Sequence, residues 1–292
     1  MKWNSSRIGF AAVICLVTIY SCQKEIRQTP PNPNIAQTIL NVSYGADTQQ
    51  KMDIYLPAGR SMSTTKVMIL IHGGAWTVGD KSDFTPFVDT LKRRFPDYAI
   101  FNINYRLSAA PNNLFPTQEM DVKSAFTYIV GKSIEYQLSD KYALIGASAG
   151  AHLAMLQGYK YTAPLKPKAI VSFYGPSDLT AMYNNPVGGN FLIALLMAQA
   201  IGSTPSQNLQ LYVNSSPVNF ISSSSPPTIL LHGGLDDLVS PSQSTIVRDK
   251  LQTAGVVNQY VFYPTGDHAI WSDDLMFDAF NNIQIFLTAN VL

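Results

Sequence analysis

The chain has 292 residues, of which 46% are hydrophobic and 13% charged, and its net charge is +1. That length and apolar content suffice to bury a full core and exclude an intrinsically disordered chain. The near-neutral balance lacks the basic stripe that nucleic-acid binding requires, so nucleic acid is excluded as an expected partner.

Lys2 and Arg7 precede a mostly apolar run over residues 8–20. That run is too short to span a bilayer, which needs about 20 residues. A basic start and a short apolar run predict a secretory signal over 1–21. The two cysteines are Cys15, inside the run, and Cys22. Removing the signal leaves Cys22 as the first residue and the only cysteine, which excludes disulfides and thiolate metal sites. Residues 22–38 are polar and Pro-rich, and they predict a semi-rigid tether of about 3 Å per residue. Ser21-Cys22-Gln23 at the end of the apolar run resembles a bacterial lipoprotein signal. The resemblance implies lipid attachment at Cys22, a place in the bacterial cell envelope, and the membrane as a partner through that lipid.

The body, 39–292, alternates strand and helix patterns. Two-residue alternation predicts strands over 39–44 and 52–56, and an unbroken apolar run predicts a buried strand over 67–71. Further strands are expected at 98–103, 142–145, 169–173, 228–231 and 259–262. Helical spacing marks 118–130, 149–158, 242–254 and 273–289. This order predicts an α/β fold with a mostly parallel sheet of about eight strands, covered by helices on both faces. Ligands then sit beyond the C-terminal ends of the strands. Residues 177–217 break the alternation and read as an insertion with one helix at 191–201. That helix either packs on the sheet or caps the site.

Gly146-Ala147-Ser148-Ala149-Gly150 is G-x-S-x-G between a predicted strand and a predicted helix, the context that gives this pattern meaning. Tiny neighbours let the helix pass the strand and leave the Ser148 hydroxyl exposed at a helix N-terminus. A serine hydroxyl needs a base, and the base needs an orienting acid. Of four histidines, His72 and His232 end buried strands, and His152 falls one turn past Ser148, where it points into packing. His268, in a loop after the last strand, is the expected base. The acid belongs between Ser and His in this chain order. Asp236 and Asp237 follow a buried strand there, with Asp178 and Asp267 as weaker alternatives. His72-Gly73-Gly74-Ala75-Trp76 closes an earlier strand. Its small residues leave backbone N–H groups free which, with that of Ala149, would form an oxyanion hole.

Together these stretches resemble the α/β-hydrolase superfamily, specifically HGG(G/A)W-type bacterial esterases related to hormone-sensitive-lipase-like and acetyl/feruloyl-esterase-like enzymes. Those that carry the resemblance are DIYLP (53–57), HGGAW (72–76), NYRLS (104–108), FP…D (Phe115, Pro116, Asp121), GASAGAHLA (146–154), FYGPSDL (173–179), SP (216–217), PPTILLHG (226–233) and GDH (266–268). The resemblance implies Ser148 as nucleophile and His268 as base. Its H-G-x-x-D-x-x-V pattern selects Asp236 over Asp237. It also implies oxyanion donors at Gly74, Ala75 and Ala149.

The expected function is a serine carboxylic-ester hydrolase acting on small-molecule or oligosaccharide esters, such as acetyl or feruloyl groups on polysaccharides. The capping helix is expected to cover the acyl pocket opposite Trp76. An amidase or peptidase of arylformamidase type is the alternative, because the same triad cleaves amides. An inactive binding protein is the other class, which the presence of Ser, His and acid argues against. No metal-ligand cluster, phosphate loop or dinucleotide motif occurs, so no metal or cofactor is expected.

Overall fold

Strands form where apolar residues alternate or run unbroken. The computed structural model describes residues 30–268 and 271–292. Among these, β1 (Gln37–Ser43), β2 (Lys51–Leu56), β3 (Lys66–Ile71), β4 (Tyr98–Ile103), β5 (Tyr142–Ala147), β6 (Ala169–Phe173), β7 (Thr228–Gly233) and β8 (Asn258–Tyr263) make one sheet. Its order is β1-β2-β4-β3-β5-β6-β7-β8. Only β2 runs antiparallel to its neighbours, β1 and β4; the other pairs are parallel. The central run of β3 illustrates why. Val67, Ile69 and Ile71 enter the core on one face, and Met68 and Leu70 enter the core on the other. Such a strand needs helices on both sides.

The helices are α1 (Thr85–Arg94), α2 (Thr117–Gly131), α3 (Ser133–Tyr136), α4 (Ala149–Lys160), α5 (Leu179–Asn184), α6 (Phe191–Ile201), α7 (Leu209–Asn214), α8 (Ser242–Thr253) and α9 (Asp273–Asn290). Apolar residues of α2, α4 and α8 fill one core, and those of α1 and α9 fill the other. Crossing from β5 straight into α4 at the middle of the sheet puts the β5–α4 turn at the C-terminal edge, between the ends of β3 and β6.

One expectation changes. The single helix expected in 177–217 is three, α5, α6 and α7. Six residues are too few for α5 or α7 to display a helical period, but both carry side-chain N-caps. Asp178 accepts from the N–H of Ala181, and Asn208 accepts from that of Leu211. The sequence pattern also gave no sign of α1. Its fully buried residues are only Val88 and Leu91, and it ends in Lys92-Arg93-Arg94, so its apolar stripe is narrow. The signal and Cys22 lie outside the described residues. Among the described residues no helix is long and apolar enough to cross a membrane.

Candidate active site

Ser148 sits at the tip of the β5–α4 turn, as the residue preceding α4, with φ +53° and ψ −121°. Such a backbone is strained for a residue with a side chain and persists only where the surroundings dictate it. They do so here by contact. A Cβ on Gly150 would lie 2.0 Å from the carbonyl oxygen of Ile71, and one on Gly146 would lie 2.3 Å from Gly150. The two glycines let α4 cross directly over β3 and β5. The Ser148 N–H is held by the Phe173 carbonyl at 2.9 Å.

His268 arrives from the loop after β8. Its Nε2 is 3.0 Å from Ser148 Oγ, and its Nδ1 is 2.8 Å from Asp236 Oδ2. Asp236 follows β7, and its other oxygen accepts the N–H groups of Leu238 and Val239 at 3.0 and 2.8 Å. Gly233 lets the two loops meet. A Cβ there would lie 2.3 Å from the Gly266 carbonyl oxygen, which itself accepts the N–H of Leu235. Burial alone would push the Asp236 carboxyl up. Hydrogen bonds from His232, then from His268 and the Val239 N–H, outweigh burial and hold it well below the usual carboxylate range. Asp236 is therefore an anion throughout the neutral range.

Two of the other acids stand elsewhere. Asp237 is exposed, and Asp178 caps α5. The carbonyl of Asp267 accepts the Trp271 indole N–H at 2.9 Å.

The strip after β3 turns sharply, with Ala75 at φ +48° and Trp76 at φ +63°. That region disfavours a side chain by about 1–2 kcal/mol per residue, so Ala75 is more strained there than a glycine would be. The N–H groups of Thr77 and Val78 both bond the Gly74 carbonyl at 3.0 Å. Among the described residues no partner occupies the N–H of Gly74 or of Ala75. Ala149 opens α4, so its N–H has no partner within the helix. Gly74, Ala75 and Ala149 line the same cavity as Ser148 and His268.

The remaining histidines brace the site. His152 accepts the Trp76 indole N–H on Nδ1 and bonds the Ser215 carbonyl through Nε2 at 2.7 Å. Burial pulls its pKa down to about 4, so it is a neutral link between the β3 strip and residue 215. His72 stacks on Tyr105 at 4.3 Å, and the Tyr105 hydroxyl donates to the Gly73 carbonyl at 2.9 Å. The remaining motif residues pin neighbouring loops. Arg106 grips buried Asp121 through Nε and a terminal nitrogen, and Lys81 pairs with Asp53 at 2.8 Å.

The cavity holds about 530 Å³ and extends to both sides of Ser148. Trp76 lines it, as do Met182, Ile193, Leu196 and Met197 of α5 and α6. The opposite arm is aromatic, with Phe84 and Phe87 from the α1 side and Phe280 from α9. Two further lining residues, Tyr174 and Trp271, were not expected. The Tyr174 ring lies 4.7 Å from that of His268, and Trp271 lies 5.8 Å beyond it. The place of Tyr174, directly after a buried strand, was the available signal. Phe84 and Phe87 had none, since α1 was not foreseen. Among the described residues no group of three or more His, Cys, Asp or Glu could hold a metal ion.

The chain is similar to known proteins in sequence and in fold. Residues 52–251 match the family model BD-FAE. A probable carboxylic ester hydrolase of Mycobacterium tuberculosis, LipM, is 31% identical over 248 residues, covering 78% of this chain and 55% of LipM. The chain spans about half the length of the curated relatives it matches. Among solved structures, a bifunctional GH43-CE protein of Bacteroides eggerthii superposes with a TM-score of 0.74 at 27% identity, over 86% of this chain and 38% of that one. A truncated carbohydrate esterase from gut microbiota superposes at 0.73 and 23% identity, over 90% of this chain and 99% of that one, which speaks for the fold. The chain belongs to the BD-FAE family and has the α/β-hydrolase fold.

Proposed function

We propose that this protein is a serine carboxylic-ester hydrolase that works through a covalent acyl-enzyme. The observation that carries the reading is the hydrogen-bonded series from Ser148 through His268 to Asp236 at an apolar cavity. His268 Nε2 takes the hydroxyl proton as Ser148 Oγ attacks the ester carbonyl. The carbonyl oxygen becomes an oxyanion held by the N–H groups of Gly74, Ala75 and Ala149. The C–O bond then breaks, and His268 returns the proton to the leaving alkoxide, releasing the alcohol. Water repeats the attack with His268 as base, freeing the acid and restoring Ser148. Asp236 stays ionised and stabilises the transient imidazolium. This chemistry needs no cofactor.

The substrates we propose are short acyl esters, such as acetyl or feruloyl groups on polysaccharides. Similarity to proteins described as carbohydrate esterases supports this. The cavity volume also falls within the range of small-ligand sites, and aromatic rings line one of its arms. The test is a screen of p-nitrophenyl esters and acetylated or feruloylated xylan fragments beside formamide and peptide substrates. Ester turnover is expected to exceed amide turnover by at least about a hundredfold. Faster formamide cleavage would reject the esterase reading.

Location belongs to the same proposal. We infer from the sequence that Cys22 carries lipid and tethers the enzyme to the cell envelope. Mature protein should partition into membranes, and Cys22→Ser should release it. Wild-type protein found wholly in the soluble fraction would overturn the tether.

A further inference from the structure

Asp236 is held by more than the catalytic histidine. An ionised carboxylate offers about four acceptor positions; three take hydrogen bonds, and the fourth faces an imidazole N–H that it shares with a carbonyl. Oδ1 takes the backbone N–H groups of Leu238 and Val239. Oδ2 takes His268 Nδ1 at 2.8 Å, and His232 Nε2 lies 3.2 Å from it. His232 is fully buried at the end of β7 and does not line the cavity. Its Nε2 also lies 2.8 Å from the Val239 carbonyl. Facing a carbonyl and a carboxylate, Nε2 must carry a proton. Its Nδ1 lies 2.7 Å from the Ser244 hydroxyl on α8, which is free to donate and so keeps the proton on Nε2.

The consequence is a closed brace. Val239 gives its N–H to Asp236 and receives the His232 proton on its carbonyl, so the 236–239 turn is gripped at both ends. The carboxylate torsion is soft, because an sp³–sp² bond has a broad minimum. Backbone donors on Oδ1 alone leave Oδ2 free to swing away from His268. The His232 N–H, shared between the Val239 carbonyl at 2.8 Å and Oδ2 at 3.2 Å, restricts that freedom.

We propose that His232, oriented by Ser244, is a positioning residue that fixes the Asp236 carboxylate toward His268. The proposal rests on the reading of Ser148, His268 and Asp236 as the catalytic series. It predicts a loss in kcat with little change in KM, because His232 touches no substrate.

Two polar replacements separate this role from simple core packing. In His232→Gln the amide nitrogen reaches the place of Nε2, whereas in His232→Asn it reaches only that of Nδ1. His232→Gln should retain kcat within about fivefold of wild type. His232→Asn should lose about 10- to 100-fold, the range for a group one hydrogen bond behind a working ligand. KM should stay within about twofold in both. In an Asp236→Asn background, His232→Asn should cost nothing further, since its effect passes through the carboxylate.

Equal kcat in the Gln and Asn variants, a loss carried by KM, or a full additive loss in the Asp236→Asn background would overturn the proposal. If neither variant folds by circular dichroism, Ser244→Ala carries the test. It should lower kcat by about threefold at constant KM, and no change would overturn the proposal. Wild type and Ser148→Ala are assayed alongside. An inactive wild type or an active Ser148→Ala would reject the esterase reading itself, a result distinct from failure of the brace.

Discussion

The β5–α4 turn and the 177–217 segment line one cavity by opposite means. The turn is fixed by backbone contact, with no room for a Cβ on Gly146 or Gly150. The segment is fixed by apolar side chains on three short helices. Phe191 and Leu195 of α6 are 70% and 58% exposed, while Ile193 and Met197 face inward. Between Asp178 and Asp236 the sequence contains no Asp, Glu, Lys or Arg. In the proposed esterase the chemistry would rest on the sterics of the turn, and the choice of acyl group on side chains that can be exchanged.

The largest effect should come from the turn. Ser148→Ala should lower kcat at least about a thousandfold with the fold intact, as measured by ester turnover and circular dichroism. Gly150→Ala should do comparable damage for a different reason. Its methyl would strike the Ile71 carbonyl oxygen, so stability should fall by about 3 kcal/mol in urea unfolding, and activity with it. A stable and active Gly150→Ala would break the contrast.

The next effect concerns Asp236. Asp236→Asn should lower kcat by about a hundredfold or more, while Asp237→Asn, on an exposed residue, should stay within about threefold. The carboxylate also leaves a signature in stability. Its folded pKa is depressed from the ordinary 3.8, so its contribution is complete above that value. It is lost as pH falls through the depressed value, because the unfolded chain binds the proton first. Stability should therefore fall less steeply below about pH 4 in Asp236→Asn than in wild type. Parallel curves from urea melts across pH would contradict the assignment.

The smallest effect should come from the segment. Leu196→Ala, on the cavity side of α6, should reduce kcat/KM for butyryl esters by about threefold and leave acetyl esters unchanged. Equal losses on both esters would assign α6 to the chemistry and blur the comparison.

The same contrast explains what the sequence made legible. Residues 67–71 announce a strand buried on both faces because no polar residue interrupts them. G-x-S-x-G announces the turn because sterics leave few residue choices. Asp236 against Asp237 was undecidable from local chemistry, since two adjacent carboxylates are equivalent until the backbone turns one inward. The N–H groups of Leu238 and Val239 do that turning. The aromatic arm at Phe84 and Phe87 depends on a short helix with a narrow apolar stripe. Tyr174 follows a buried strand, which marks its place at the strand end, but its turn toward His268 depends on a positive φ. Such residues meet only through tertiary packing.

The central claim is that Ser148 forms a covalent intermediate, and intact-mass analysis of protein treated with a fluorophosphonate tests it most directly. One adduct per chain is expected, mapped by peptide sequencing to Ser148 and absent from Ser148→Ala. An unlabelled wild type, or an adduct that persists in Ser148→Ala, would contradict it.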